Sequence, residues 1–206
     1  MQIKLNLACS MEEKLISNEF ARKSVHLLSL LVPCAAWYSL TGTLFGIMAF
    51  SILYGISEYC KIKNKSFLLQ SLISKMQRED EKKRFAKAPL FLAVGVSAVL
   101  LLYSPLAAWV AIYHAGFCDT MASVFGKKWG KTRIPFSPEK SLLGSGLFFL
   151  SALPVLFLIL PYSKAVVVAL VATFLEMLPF KDWDNLIVPL VTGFLVEQFL
   201  FPMEYM

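Results

Sequence analysis

The chain has 206 residues, of which 57% are hydrophobic and 17% charged, with a net charge of +6; its mean hydropathy is +0.64. Soluble domains average about 25% charged residues, and several apolar runs here approach the ~20 residues that cross a bilayer, so the composition argues against a soluble helical core. The basic residues fall in a few short stretches with little aromatic interleaving, a pattern of loops beside anionic lipid and not of nucleic-acid binding.

Residues 1–20 read as an amphipathic lead-in, and residues 21–206 as one transmembrane catalytic domain. Ala8-Cys9 lacks the upstream apolar run of a lipoprotein signal. The four cysteines, Cys9, Cys34, Cys60 and Cys118, contain no CxxC pair, so neither a zinc site nor a disulfide framework is implied. Apolar runs follow at 24–40, 41–59, 88–103, 105–125, 141–161, 164–180 and 185–202. The expected fold is therefore all-α, a polytopic bundle of about seven spans. Ser104-Pro105 and Pro161-Tyr162-Ser163 break neighbouring runs into tight, nearly uncharged hairpins. The basic stretches at Arg22-Lys23, in the loop 61–87 and in the loop 127–140 are separated by even numbers of spans. The positive-inside rule then places all three, and the N-terminus, in the cytoplasm and the C-terminus outside. Within the first loop, the stretch from Lys75 to Lys87 mixes both signs, with Glu79, Asp80 and Glu81 between Arg78 and Lys82-Lys83-Arg84, which suits a solvated helix with i,i+4 pairs.

Ionisable groups inside a span are costly, which makes them functional candidates. Arg22 and His26 share a helix face at the start of the first run, where Arg22 and Lys23 can equally be topology anchors. Glu58 ends the second run on the same side. Asp119 lies in the fourth run, seven residues before Gly126, or about 10 Å from the loop at ~1.5 Å per residue. It needs a cation: a lysine of a neighbouring helix, or a divalent metal whose shell phosphates complete. Gly126-Lys127 and Gly130-Lys131 suit a loop whose amides and ammoniums meet phosphates, although an ordinary basic loop reads the same way. Ser137 or Ser141 can cap the fifth helix, whose N-terminus favours an anion, and Lys140 adds a positive charge. Glu176, followed by Asp182, Asp184 and Asn185, can ligate metal or accept a proton, while Asp184 can instead cap a helix. His114 reads as a packed core residue, and Trp37, Trp109 and Trp183 as interfacial anchors.

The run from Gly116 through Asp119 and Ala122 to Gly126-Lys127-Lys128-Trp129-Gly130-Lys131, followed by Pro138-Glu139-Lys140-Ser141-Leu142-Leu143-Gly144, resembles the signature of the polyprenol kinase family, which includes dolichol kinase, phytol kinase and CTP-dependent diacylglycerol kinase. Arg22-Lys23-Ser24-Val25-His26 resembles that family's N-terminal element, and Glu176 with Asp184-Asn185 and Pro189 its C-terminal one. Cys118 and Leu143 depart from the pattern, standing where Gly or Ser and Glu are common. Ser137-Pro138 leans towards the related phosphatidate cytidylyltransferases, whose C-terminal aspartate-rich signature is not evident.

The resemblance implies an integral-membrane kinase that transfers the γ-phosphoryl of CTP, with Mg²⁺, to a lipid alcohol such as a polyprenol, a phytol-like alcohol or diacylglycerol. It implies metal ligation by Asp119, Asp184 and Asn185, and catalytic roles for Asp119, Lys140, Glu176 and His26. Nucleotide binding would fall to Arg22, Lys23, Gly126, Lys127, Gly130, Lys131, Lys140, Ser141 and Gly144. Partners would be the nucleotide and a bilayer lipid, with an oligomer compatible. The alternatives are CDP-lipid synthesis of the cytidylyltransferase type and a non-catalytic transporter.

Overall fold

The structure is a computed structural model that describes residues 19–20, 22–63, 65, 77, 81 and 84–201. Helical residues 22–28 pass through a 3-10 turn, Ser29–Leu31, into α1 (Val32–Tyr38). Then come α2 (Leu40–Ile62), α3 (Ala88–Leu102), α4 (Pro105–Tyr113), a π-helical turn (His114–Cys118) and α5 (Asp119–Trp129). A short hairpin of β1 (Arg133–Ile134) and β2 (Ser137–Ser141) leads to α6 (Leu142–Ile159), α7 (Tyr162–Met177), a 3-10 turn at Lys181–Trp183 and α8 (Asp184–Leu200).

Serine and proline set the breaks. Ser39 leaves the helical region and accepts from the Gly42 amide, so α2 starts afresh after α1. Ser104 is extended, Pro105 opens α4, and the Ser104 hydroxyl accepts from the Ala107 amide. Its own N–H and hydroxyl both donate to Glu197 of α8, at 3.0 and 2.6 Å, which ties the two helix ends together. Pro161, in an extended conformation, separates α6 from α7 without a side-chain cap.

The core sits among α4 to α8. Ala107, Val110, Ala122, Phe148, Ala152, Ala165, Ala169, Ala172 and Val196 are buried there, so much of the seam is alanine. Small side chains let helix backbones approach closely. A second cluster joins α3 to α4 through Leu92, Val96, Val99, Ala111 and Ile112. By contrast, only Tyr54, Ser57 and Glu58 of α2 are buried. Among the described residues, α2 and α6 are long and apolar enough to cross a membrane, and α3 is apolar but shorter.

The all-α expectation holds, with one correction. The stretch 127–140 is not an open loop: α5 continues to Trp129, and a β-hairpin occupies 133–141. Ile134 is buried and anchors that hairpin against the bundle. Ser141, and not Ser137, caps α6 by accepting from the Gly144 amide at 3.1 Å. The lead-in is described only at Glu19 and Phe20, and most of the mixed-charge stretch lies outside the described residues. Of its described members Gln77 and Glu81 are buried, whereas Arg84 and Lys87 are exposed. Gln77 donates to Glu58 at 2.6 Å, and Glu58 also accepts from the Ala86 amide and from Lys61. Glu58 is thus a fully buried clamp on the loop and lies off the cavity described next.

Candidate active site

The π-helical turn decides where Asp119 points. A π-turn inserts one residue into an α-helix and rotates everything beyond it, and such turns recur at functional sites. Gly116 within it makes room for the N-terminal helix: a Cβ there would lie 2.8 Å from the His26 carbonyl oxygen. The close approach brings Lys23 and His26 to Asp119. Lys23 Nζ donates to Asp119 Oδ2, and His26 Nδ1 lies 3.2 Å from the same oxygen and 3.1 Å from the Ala115 carbonyl. Asp119 is thus paired with a lysine of a neighbouring helix, one of the two possibilities its sequence position left open.

α5 then runs beside α6 along a glycine seam. A Cβ on Gly144 would sit 2.7 Å from the Ala122 carbonyl oxygen, and one on Gly126 would sit 3.0 Å from Gly144 Cα. Gly130 is pressed against the Ser141 side chain, whose hydroxyl donates to the Gly126 carbonyl at 3.1 Å. This corrects the reading of a glycine–lysine phosphate loop. The Gly126 amide belongs to a helix and is not an open donor, so the glycines act by letting two backbones touch. The hairpin folds Lys140 back over the end of α7, where it donates to the Glu176 carbonyl. Its Nζ also lies 3.2 Å from both Glu176 Oε1 and Asp184 Oδ2. Burial pushes the Lys140 pKa down, but Glu176, Asp184 and Asp119 outweigh it and hold it above its ordinary value, so the ammonium stays charged. Glu176 is buried and accepts from Ser145 at 3.2 Å.

These elements enclose a cavity of about 210 Å³. Of the fourteen residues to which the resemblance assigns a role, eleven line it: Arg22, Lys23 and Asp119; Gly126, Lys127, Lys140, Ser141 and Gly144; Glu176, Asp184 and Asn185; Asp182, named beside them from sequence, lines it too. Three do not. His26 lies behind Asp119, Gly130 lies behind Ser141, and Lys131 is exposed off the wall. Leu143, at the position where a Glu is common in the family pattern, is also exposed and off the wall. The sequence reading missed Glu19, Ser123, Ser145 and Lys181, which do line it. The spacing of Glu19 and Arg22, i and i+3 on a helix, was the available signal for the first. Lys181 gave none: it is marked by its left-handed backbone, φ 52°, which a non-glycine residue adopts only when its surroundings impose it.

Five basic and six acidic side chains face the cavity, so it is nearly balanced internally. Among the described residues, no three His, Cys, Asp or Glu converge on a metal position. A magnesium ion bound chiefly by phosphates and water needs only one or two carboxylates. Asp119 meets that demand: beyond its shared Oδ2, its Oδ1 has only a 3.4 Å contact with Ser123. Asp184 and Asn185 add oxygen donors on the same cavity wall. The donor set suits a phosphate-borne ion and not a protein cage.

The chain is 30% identical over 206 residues to phytol kinase 1, chloroplastic, of Arabidopsis thaliana, with 88% of this chain and 66% of that protein aligned. The chain belongs to the polyprenol/phytol kinase family. Within that family it is 27% identical to a probable phytol kinase, chloroplastic, of Triticum aestivum, over 88% of this chain and 67% of that protein. A shorter match, 35% over 80 residues, covers 39% of this chain and 36% of CTP-dependent diacylglycerol kinase 1 of Schizosaccharomyces pombe. The chain thus spans about two thirds of the length of the phytol kinases it matches. No protein-family model matches it, and no solved structure does.

Proposed function

We propose that this protein is an integral-membrane lipid-alcohol kinase. It transfers the γ-phosphoryl group of a nucleoside triphosphate, CTP in the first instance, to the hydroxyl of a polyprenol, a phytol-like alcohol or diacylglycerol. The observation that carries this reading is the convergence of Lys23, Asp119, Lys127, Lys140 and Glu176, from separate parts of the chain, on one cavity. The names of the relatives supply the acceptor class, and the diacylglycerol kinase match supplies the CTP.

Phosphoryl transfer asks mainly for charge neutralisation and in-line positioning. Arg22, Lys127 and Lys140 neutralise phosphate oxygens. Lys23 and His26 hold the Asp119 carboxylate in place, so His26 acts as a positioning residue through Asp119. A magnesium ion brought with the triphosphate, met by Asp119 with Asp184 and Asn185, would neutralise charge on the reacting phosphates. Glu176 and Asp184 face the cavity beside Lys140, where either carboxylate can take the hydroxyl proton as the oxygen attacks.

Membrane integration rests on the outward apolar surface. Phe45, Met48, Ile52 and Ile56 of α2, and Leu150 and Leu158 of α6, are exposed. A contiguous surface of this kind suits acyl chains and not water. On this reading the helical segments form about seven spans, and the cavity opens to the cytoplasm by the positive-inside rule.

The test is incubation of the purified full-length protein with CTP labelled at the γ-phosphate and a panel of phytol, farnesol, polyprenol, diacylglycerol and, as the acceptor for CDP-lipid synthesis, phosphatidate. Label in the lipid supports the proposal. Label retained in pyrophosphate while CMP joins a lipid would assign CDP-lipid synthesis instead, and no transfer to any lipid from any nucleotide would overturn both.

A further inference from the structure

The wall of the cavity nearest the N-terminus is already occupied by an anion of the chain's own. Glu19 Oε1 accepts from Arg22 Nη2 at 2.6 Å, and Glu19 Oε2 pairs with Lys127 Nζ at 2.5 Å. The Glu19 side chain is 4% exposed, and all three residues line the cavity. One carboxylate therefore bridges two cations that belong to different helices, 108 positions apart for the lysine. Glu19 also lies outside the Arg22–His26 element that first marked this helix.

The bridge fits Arg22 incompletely. The guanidinium meets Glu19 through Nη2, while its Nε is buried and has no partner among the described residues. A guanidinium recognises phosphate best side-on, through Nε and a terminal nitrogen together. A tetrahedral phosphate has an oxygen to spare for Lys127 while meeting both Arg22 nitrogens. The carboxylate does not, because its two oxygens are divided between Arg22 and Lys127.

We propose that Arg22 and Lys127 form a polyphosphate subsite and that Glu19 is its resident occupant, displaced when a phosphate group of the nucleotide enters. This rests on the reading of the cavity as a nucleoside triphosphate site. Displacement frees the chain around Glu19 from the cavity wall, so nucleotide binding and the position of the N-terminal helix are coupled. An occupant of this kind lowers apparent affinity by the fraction of molecules in which the subsite is open. With an open fraction of about one tenth, removing the occupant tightens binding about tenfold.

The experiment titrates inorganic triphosphate and a non-hydrolysable CTP analogue into the full-length protein in detergent. Glu19→Gln is expected to tighten both by about tenfold. Arg22→Lys, which keeps the charge and loses the side-on geometry, is expected to weaken both by a similar factor. Hydrogen exchange in the unmodified protein gives a readout independent of either variant: amides at 19–24 exchange faster once triphosphate is bound. Unchanged or weaker binding by Glu19→Gln, or slower exchange at 19–24, overturns the proposal and makes Glu19 a residue that organises Arg22 and Lys127 for the ligand. If the unmodified protein binds the analogue but Glu19→Gln fails to bind more tightly, this inference alone falls. If the unmodified protein binds no polyphosphate, the nucleotide-site reading falls with it.

Discussion

Replacing Gly144 with alanine tests whether the glycine seam sets the site. A Cβ at Gly144 would lie 2.7 Å from the Ala122 carbonyl oxygen and 3.3 Å from Gly126 Cα. Ordinary contact begins at about 3.4 Å, so α5 and α6 must part by about 0.7 Å. The obstacle is backbone, which no rotamer change relieves. Overpacking of this kind costs about 1–3 kcal/mol. Two positions further along the same helix, Gly146 is exposed and has nothing within 4 Å of its Cβ position. Alanine there gains up to about 1 kcal/mol of helix propensity. Thermal unfolding in detergent should therefore place Gly144→Ala below Gly146→Ala by at least about 1 kcal/mol, or about 2–4 °C for a chain of this size. Turnover should separate them further. Lys127 and Asp119 ride on α5 while Lys140 enters through the cap of α6, so parting the helices moves opposite walls of the cavity, and a misplacement of about 1 Å can cost 10²-fold in rate. Equal midpoints and equal rates for the two variants would falsify the seam argument.

Asp119→Asn should lower nucleotide-dependent turnover by about 10²–10³-fold with the helical content retained, as for loss of a preorganised charge at a reacting centre; unaltered turnover removes Asp119 from the chemistry. Burial pushes the Glu19 pKa up, but Arg22, Lys127 and Lys23 together pull it well below its ordinary value of 4.5. A lowered folded pKa contributes stability that is complete above the unfolded value and is lost as pH falls through the folded one. The melting difference between the unmodified protein and Glu19→Gln should accordingly be constant above about pH 4.5 and shrink below it; a difference that grows on acidification contradicts the bridge. Glu58→Gln leaves the largely buried Lys61 ammonium without its carboxylate, at a cost of about 3 kcal/mol or more. Hydrogen exchange at Ala86, whose amide donates to Glu58, should rise with it, and an unchanged Ala86 would show that the loop is held by other means.

The helical character, the breaks and the polar end of the bundle are legible in the sequence because each is local. Runs of apolar residues must hydrogen-bond their own backbone, which makes helices, and Ser39, Ser104-Pro105 and Pro161 interrupt them wherever they stand. The chemical identity of Asp119, Lys140 and Glu176 as misfits in apolar surroundings is local in the same sense. What the sequence leaves open depends on approach between helices. That Asp119 meets a lysine depends on Gly116, which lets Lys23 close a contact across 96 positions. The glycines after Asp119 read as a loop because spacing cannot tell a flexible glycine from one that merely lacks a Cβ, and packing of α5 on α6 makes Gly126 and Gly144 the second kind. Glu19 reads from sequence only as part of an amphipathic lead-in, since a carboxylate's role is fixed by the cations around it, and one of its two, Lys127, arrives from another helix. Charge among apolar runs named the candidates, and tertiary packing paired them and assigned some to the cavity and others to its support.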